Sequence, residues 1–292
     1  MPGTPGRHPP PRADRGDSVV ITDADVERWL REDLGHHDVT NDLPGTTTGR
    51  LLAREDGTLA GIDAATRTFE YLDIEVRDRG DVGEHIEAGS EVLRVAGPTR
   101  DVLRGERVAA NLVAHASGIA TRTARAVERA RHENPAVRVA ATRKTTPGLR
   151  GLEKRAVAAG GGDTHRLDLS HMAMVKDNHA AEAGLEGAIE RIRERTSFAT
   201  RIEAEVESVE GARRAADAGA EAVLLDNFDP AGLERAVAAL ADVDVVLEAS
   251  GGITLENVAA YAATGVDVVS MGSLTHSAPA LDVSFRTGAD EE

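Results

Sequence analysis

The chain has 292 residues, no cysteine, 50 acidic against 34 basic side chains and a formal net charge of −16. That length supports one large domain or two modest ones. The missing cysteine excludes disulfides, thiolate metal sites and a Cys nucleophile, and fits a reducing, cytoplasmic setting. The acidic balance excludes a basic nucleic-acid footprint, and no apolar run approaches the length of a membrane span.

Only three of the bases are lysines: Lys144, Lys154 and Lys176. Acid excess with lysine depletion resembles proteomes adapted to high salt, where screening tolerates the repulsion. The positions of the retained lysines are therefore informative.

Residues 1–17 are rich in Pro, Gly and Arg, lack the apolar core of a signal peptide, and read as a disordered tail. An N-terminal α/β domain is expected over 18–115. Thr22 or Asp23 caps a helix reaching about Arg31. Residues 49–97 read as short glycine-punctuated strands and turns, with a helix near Ala64–Leu72. A further helix is expected from about Val102 to Ala116.

From about residue 137 short apolar runs recur, each ending in polar residues. They are Val137–Ala141, Ala173–Val175, Ile202–Val206, Ala222–Leu225, Val243–Leu247 and Val266–Val269. Helices separate the later runs. Ser208 caps one that ends before Gly219. Asp229 with Pro230 starts another, running to about Leu240, and Thr254 caps Leu255–Ala263. Such alternation gives a parallel sheet, either open or closed into a barrel. The barrel is favoured because functional residue types end nearly every strand, and in a barrel those ends converge on one mouth. The barrel domain is expected over 116–275.

Thr142-Arg143-Lys144 follows the first of these strands, and His165-Arg166 and Lys176 follow soon after. Lysine offers a compact charge for phosphate or carboxylate, and arginine a bidentate fork. Lys154 reads as structural. Ser250-Gly251-Gly252 and Gly272-Ser273 present bare amides before helix starts, the pattern of an anion site. Glu205 lies on a strand and Asp226 ends the next. They could hold a divalent metal, bind sugar hydroxyls or stabilise a developing cation. Glu203 and Glu207 share the Glu205 face at period two, and with Glu248 they read equally well as network partners. The scattered histidines form no H-E-x-x-H zinc pattern, and neither a P-loop nor a G-x-S-x-G elbow is present.

Together these segments resemble the quinolinate phosphoribosyltransferases. The resemblance rests on Glu32-Asp33-Leu34-Gly35, Glu106-Arg107 with Asn111, and Ser117-Gly118-Ile119-Ala120-Thr121. It continues through Thr142–Arg150, Gly160–Arg166 and Val175–His179, then Leu224–Phe228, Glu248–Ile253 and Gly272–Ser277. It implies an α/β fold, an incomplete β/α-barrel with an N-terminal α/β sandwich domain, whose C-terminal tail (276–292) returns to the N-terminal domain. It also implies a reaction of quinolinate with 5-phosphoribosyl 1-pyrophosphate and Mg²⁺, giving nicotinate mononucleotide, pyrophosphate and CO₂. Carried over by position, Arg143, His165 and Arg166 grip the quinolinate carboxylates, and Thr142 is substrate-binding. Arg107 reaches the neighbouring subunit's site, so a homodimer or higher oligomer is implied. Lys144 and Lys176 contact both substrates, Glu205 and Asp226 hold the ribose and metal side, and Ser250, Gly251, Gly252 and Gly272 cradle the 5-phosphate. Thr164, where the family commonly has Asn, departs from the pattern without removing a charge. The alternatives are a related pyrophosphorylase with another acceptor and a non-catalytic phosphosugar-binding barrel.

Overall fold

A computed structural model describes residues 21–288; the tail expected over 1–17 lies outside the described residues. Helix α1 (Asp23–Leu34) opens on a capping box, in which the Thr22 side chain accepts the Asp25 N–H and the Asp25 carboxylate accepts the Thr22 N–H. Such a cap contributes about 1 kcal/mol.

Strands β1 (Thr46–Ala53), β3 (Glu75–Arg79) and β5 (Glu91–Pro98) form an antiparallel sheet against helix α2 (Ile62–Tyr71). Short strands β2 (Gly57–Thr58) and β4 (His85–Ile86) pair beside it. The last strand, β12 (Val283–Thr287), returns to this sheet and pairs antiparallel with β1, Leu51 opposite Phe285.

The helix expected over Val102–Ala116 is more than twice as long, at 35 residues. Helix α3 runs unbroken from Thr99 to Glu133, so the boundary placed at 115/116 falls inside it. The sequence invites a break at Ser117-Gly118, but Gly118 serves a close approach: a Cβ there would lie 2.0 Å from the Pro279 carbonyl oxygen. The returning chain crosses α3 at that point. One apolar cluster (Val26, Leu30, Leu112, Ile119, Leu152 and Val157 among its members) joins α1 and α3 to the second half of the chain.

That half is a six-stranded parallel sheet. Its strands are β6 (Arg138–Ala140), β7 (Ala173–Val175), β8 (Ile202–Val206), β9 (Ala222–Asp226), β10 (Val246–Ser250) and β11 (Val268–Ser270). The spatial order is β6-β11-β10-β9-β8-β7, open where β6 and β7 form the edges: an incomplete β/α-barrel. Helices α4 (Arg150–Ala159), α5 (Asp177–Ala183), α6 (Leu185–Arg195), α7 (Val209–Asp217), α8 (Pro230–Ala239), α9 (Val258–Ala262) and α10 (Ser273–His276) connect the strands. Covered on both faces, the strands are nearly all apolar, as Ala222–Leu225 illustrates. Ser208 and Asp229 cap α7 and α8 through the Gly211 and Gly232 N–H groups.

Two expected elements shift. Strand β10 starts at Val246, three residues later than the apolar run, because Val243 and Val245 are used in the turn that closes α8. Helix α9 starts at Val258 rather than Leu255, because Asn257 accepts the Thr254 N–H and donates to the Gly252 carbonyl, holding 252–257 as a turn. Among the described residues no helix is long and apolar enough to cross a membrane.

Candidate active site

Parallel register puts the chemistry-bearing strand ends at one mouth. Lys176 follows β7, Glu205 lies on β8, Asp226 ends β9, Ser250 ends β10 directly opposite Asp226, and Gly272 follows β11. Thr142, Arg143 and Lys144 follow β6, which pairs with β11.

The side chains meet there. Lys176 Nζ donates to Glu205. The Asp226 carboxyl is raised above its ordinary range, first by burial and then by the Glu205 charge, with Lys176 and Lys144 pulling the other way. Lys144 also packs at the last strand end: its carbonyl accepts the Thr275 hydroxyl at 2.7 Å, and its Cδ lies 3.1 Å from where a Gly272 Cβ would be. The Arg166 guanidinium is made less basic, first by burial and then by the neighbouring Arg143. Arg143 and Glu205 thus act on Arg166, and Glu205, Lys176 and Lys144 on Asp226, so the charges at these strand ends influence one another.

Two of these cations lack internal partners at buried atoms. The Nε groups of Arg143 and Arg166 are buried without a hydrogen bond. Buried polar groups are normally satisfied, and two adjacent guanidiniums repel. An anion with two acceptor groups would relieve both conditions.

His165 sits differently from its neighbours. Its φ is 51°, left-handed for a non-glycine residue. Its N–H donates to Asp163 at 2.7 Å. Its Nδ1 accepts the Arg166 N–H at 2.6 Å, and its Nε2 lies 2.9 Å from Glu248 and 3.6 Å from Glu203. Both ring nitrogens are thus engaged within the protein. Desolvation pulls the imidazole down, while the Glu248 hydrogen bond and the Glu248 and Glu203 charges push it up. Burial, then the Glu248 charge, pushes the Glu203 carboxyl up to about 7. The donated Arg166 amide requires a lone pair on Nδ1, so the shared proton lies on the Nε2 side, between imidazole and carboxylates. The ligand atoms of His165, Glu203 and Glu248 lie within 4.8 Å of one another, with the Nε2 proton directed at Glu248. Sequence reasoning left Glu203 and Glu248 as possible network partners. For Glu203 the available signal is its period-two spacing with Glu205 on β8; Glu248 had none of that kind.

The glycine turn is sterically required. Gly251 has φ 100°, and a Cβ on it would lie 2.3 Å from Asn227 Oδ1. Gly252 has φ 62° with open space around it. Asn227, itself at φ 57°, donates its N–H to the Ser250 carbonyl and its Nδ2 to Asp226, tying two strand ends together. Thr142 shapes its own loop, its hydroxyl accepting the Lys144 N–H at 3.1 Å. Arg107 lies on α3, 63 % exposed, with Glu106 at 3.8 Å.

A barrel mouth that collects four cations, two carboxylates and bare glycine amides defines a protein built to hold small polyanions. Comparison with known proteins narrows that class. Residues 38–117 and 119–286 match the N- and C-terminal domains of quinolinate phosphoribosyl transferase. The chain is 42 % identical over 270 residues to a probable nicotinate-nucleotide pyrophosphorylase (carboxylating) of Methanothermobacter thermautotrophicus, covering 89 % of this chain and 97 % of that one. It is 42 % identical over 272 residues to the Homo sapiens nicotinate-nucleotide pyrophosphorylase (carboxylating), covering 91 % of each. The solved structure of NadC from Streptococcus pyogenes superposes with a TM-score of 0.86 at 37 % identity, covering 93 % of this chain and 99 % of that one. The chain belongs to the quinolinate phosphoribosyltransferase family.

Proposed function

We propose that this protein transfers the phosphoribosyl group of 5-phosphoribosyl 1-pyrophosphate to quinolinate, releasing CO₂ and pyrophosphate and forming nicotinate mononucleotide for de novo NAD synthesis. The observation that carries this reading is the adjacent pair Arg143 and Arg166, with buried, unpartnered Nε groups beside Lys144 and Lys176. Quinolinate presents two neighbouring carboxylates to such a pair. A one-carboxylate acceptor such as nicotinate would leave one guanidinium unpaired, which disfavours the related pyrophosphorylase.

In this reading the glycine turn at 250–252 and Gly272 hold the 5-phosphate through backbone amides. Lys144 neutralises phosphate charge. Glu205 faces the ribose carbon that gains positive character as pyrophosphate leaves, and stabilises it. Lys176, paired to Glu205, orients that carboxylate. Arg143 and Arg166 position the ring nitrogen for attack, and CO₂ loss follows once that nitrogen is a pyridinium.

Mg²⁺ fits the carboxylate side. The Glu205 charge that raises Asp226 is the repulsion a hard cation with oxygen ligands relieves. Glu205 and Asp226 would hold it, and it would neutralise charge on the leaving pyrophosphate. The exposed Arg107 completes the site of a second subunit, so the working form is a homodimer or larger. A cytoplasmic location follows from the same metabolic role.

The direct test incubates the protein with quinolinate, the sugar donor and Mg²⁺ and follows nicotinate mononucleotide by mass. Product is expected from quinolinate and none from nicotinate. Product from nicotinate alone would support the related pyrophosphorylase, and tight binding of both substrates without product would support the non-catalytic barrel.

The acidic surface carries a further expectation. With a net charge of −16, self-repulsion falls as the Debye length shrinks to about 3 Å in molar salt. The melting temperature should rise from low to molar KCl. A fall over that range would count against salt adaptation.

A further inference from the structure

Helix α4 carries two consecutive charged residues that are almost fully buried, Glu153 at 0 % and Lys154 at 2 % exposed. Each reaches the backbone of a different loop. Glu153 accepts the Thr146 N–H at 3.2–3.3 Å and bonds His115 Nε2 at 2.9 Å. Thr146 belongs to the loop before α4, which bears Arg143 and Lys144. Lys154 Nζ donates to the Thr164 carbonyl oxygen, in the loop after α4 that bears His165 and Arg166. One helix thus holds both cationic loops.

Burying an ammonium against a lone carbonyl is costly, so a surface lysine or an apolar residue would serve packing better. Desolvation pulls Lys154 down to about 8, which leaves it charged at neutral pH. Its carbonyl partner immediately precedes the left-handed His165. Strained backbone of this kind persists only when its surroundings over-determine it. The Asp163 carboxylate holds the His165 N–H, Glu248 holds the imidazole, and Lys154 holds the peptide in front of it. Helix α4 is a firm anchor, because Leu152, Ala156 and Val157 lie in the cluster it shares with α3.

We infer that Lys154 is a positioning residue for quinolinate recognition: through the Thr164 carbonyl it sets the backbone that aims Arg166 and shapes the His165 turn. It cannot touch substrate from its buried position. The inference rests on the quinolinate reading above. Misplacing a binding group by about 1 Å costs up to about a hundredfold, so the effect should appear in one substrate's constant and not the other's.

The test compares wild type with Lys154→Met in steady-state assays, varying each substrate. Wild-type turnover is read first, and its absence would refute the quinolinate reading itself. With wild type active, Lys154→Met should raise the quinolinate KM by about tenfold or more, with the sugar-donor KM within about twofold. Unchanged constants, or a parallel rise in both, would overturn the positioning role and leave Lys154 a general structural residue. Should the methionine variant not fold, Lys154→Gln, which keeps a donor on a shorter arm, is read by the same two constants and the same criteria.

Discussion

Arg143→Ala should weaken quinolinate binding by about a hundredfold or more while leaving the affinity for 5-phosphoribosyl 1-pyrophosphate within about threefold, both measured by calorimetry. The size follows from what truncation leaves behind. A carboxylate in this pocket would lose a charge-assisted bidentate partner and remain partly desolvated, a loss of about 2–5 kcal/mol. The selectivity follows from place. Arg143 neighbours Arg166 at the open edge between β6 and β7, whereas the glycine turn sits at the β10 end, in the middle of the sheet. Folding should be little affected, because the removed group has unmet hydrogen-bonding capacity inside the protein. Unchanged quinolinate affinity would remove the central argument for two-carboxylate recognition.

Arg107→Ala and Lys144→Ala should each be nearly inactive alone, yet recover activity when their subunits are mixed and reassociated. Arg107 is exposed on α3, with Glu106 at 3.8 Å, while the Lys144 charge acts on Asp226. If the first serves the partner's site and the second its own, a hybrid dimer has one site with both defects and one with neither. Statistical reassortment makes half the dimers hybrid, so about a quarter of wild-type activity should return. No recovery in dimers shown to be mixed would argue that Arg107 serves its own subunit or none.

Much of this arrangement was legible in the residues. The caps at Thr22, Ser208 and Asp229, and the alternation of β-branched runs with helices, mark local elements whose physics is local. The strand-end residues could be gathered in advance because parallel strands bring their ends together whatever the loops do. Features that depend on a distant partner were not legible. Gly118 looks like a helix break until Pro279 is found against it. The run at 243–247 looks like a strand until the turn after α8 takes its first residues. Lys154 reads as an ordinary helix residue because nothing local shows that Thr164 will cover it. Likewise the left-handed turns at His165 and Asn227, of types that tolerate that conformation, are fixed by Glu248, Asp163 and the neighbouring strand end.

The measurement that bears most directly on the whole account is a crystal structure with the sugar donor, Mg²⁺ and an unreactive analogue of quinolinate in which carbon replaces the ring nitrogen. The account predicts one pocket holding both, the analogue's carboxylates on Arg143 and Arg166 and the 5-phosphate on the Gly251–Gly252 turn. The two ligands in separate cavities, or carboxylates bound away from both arginines, would contradict it.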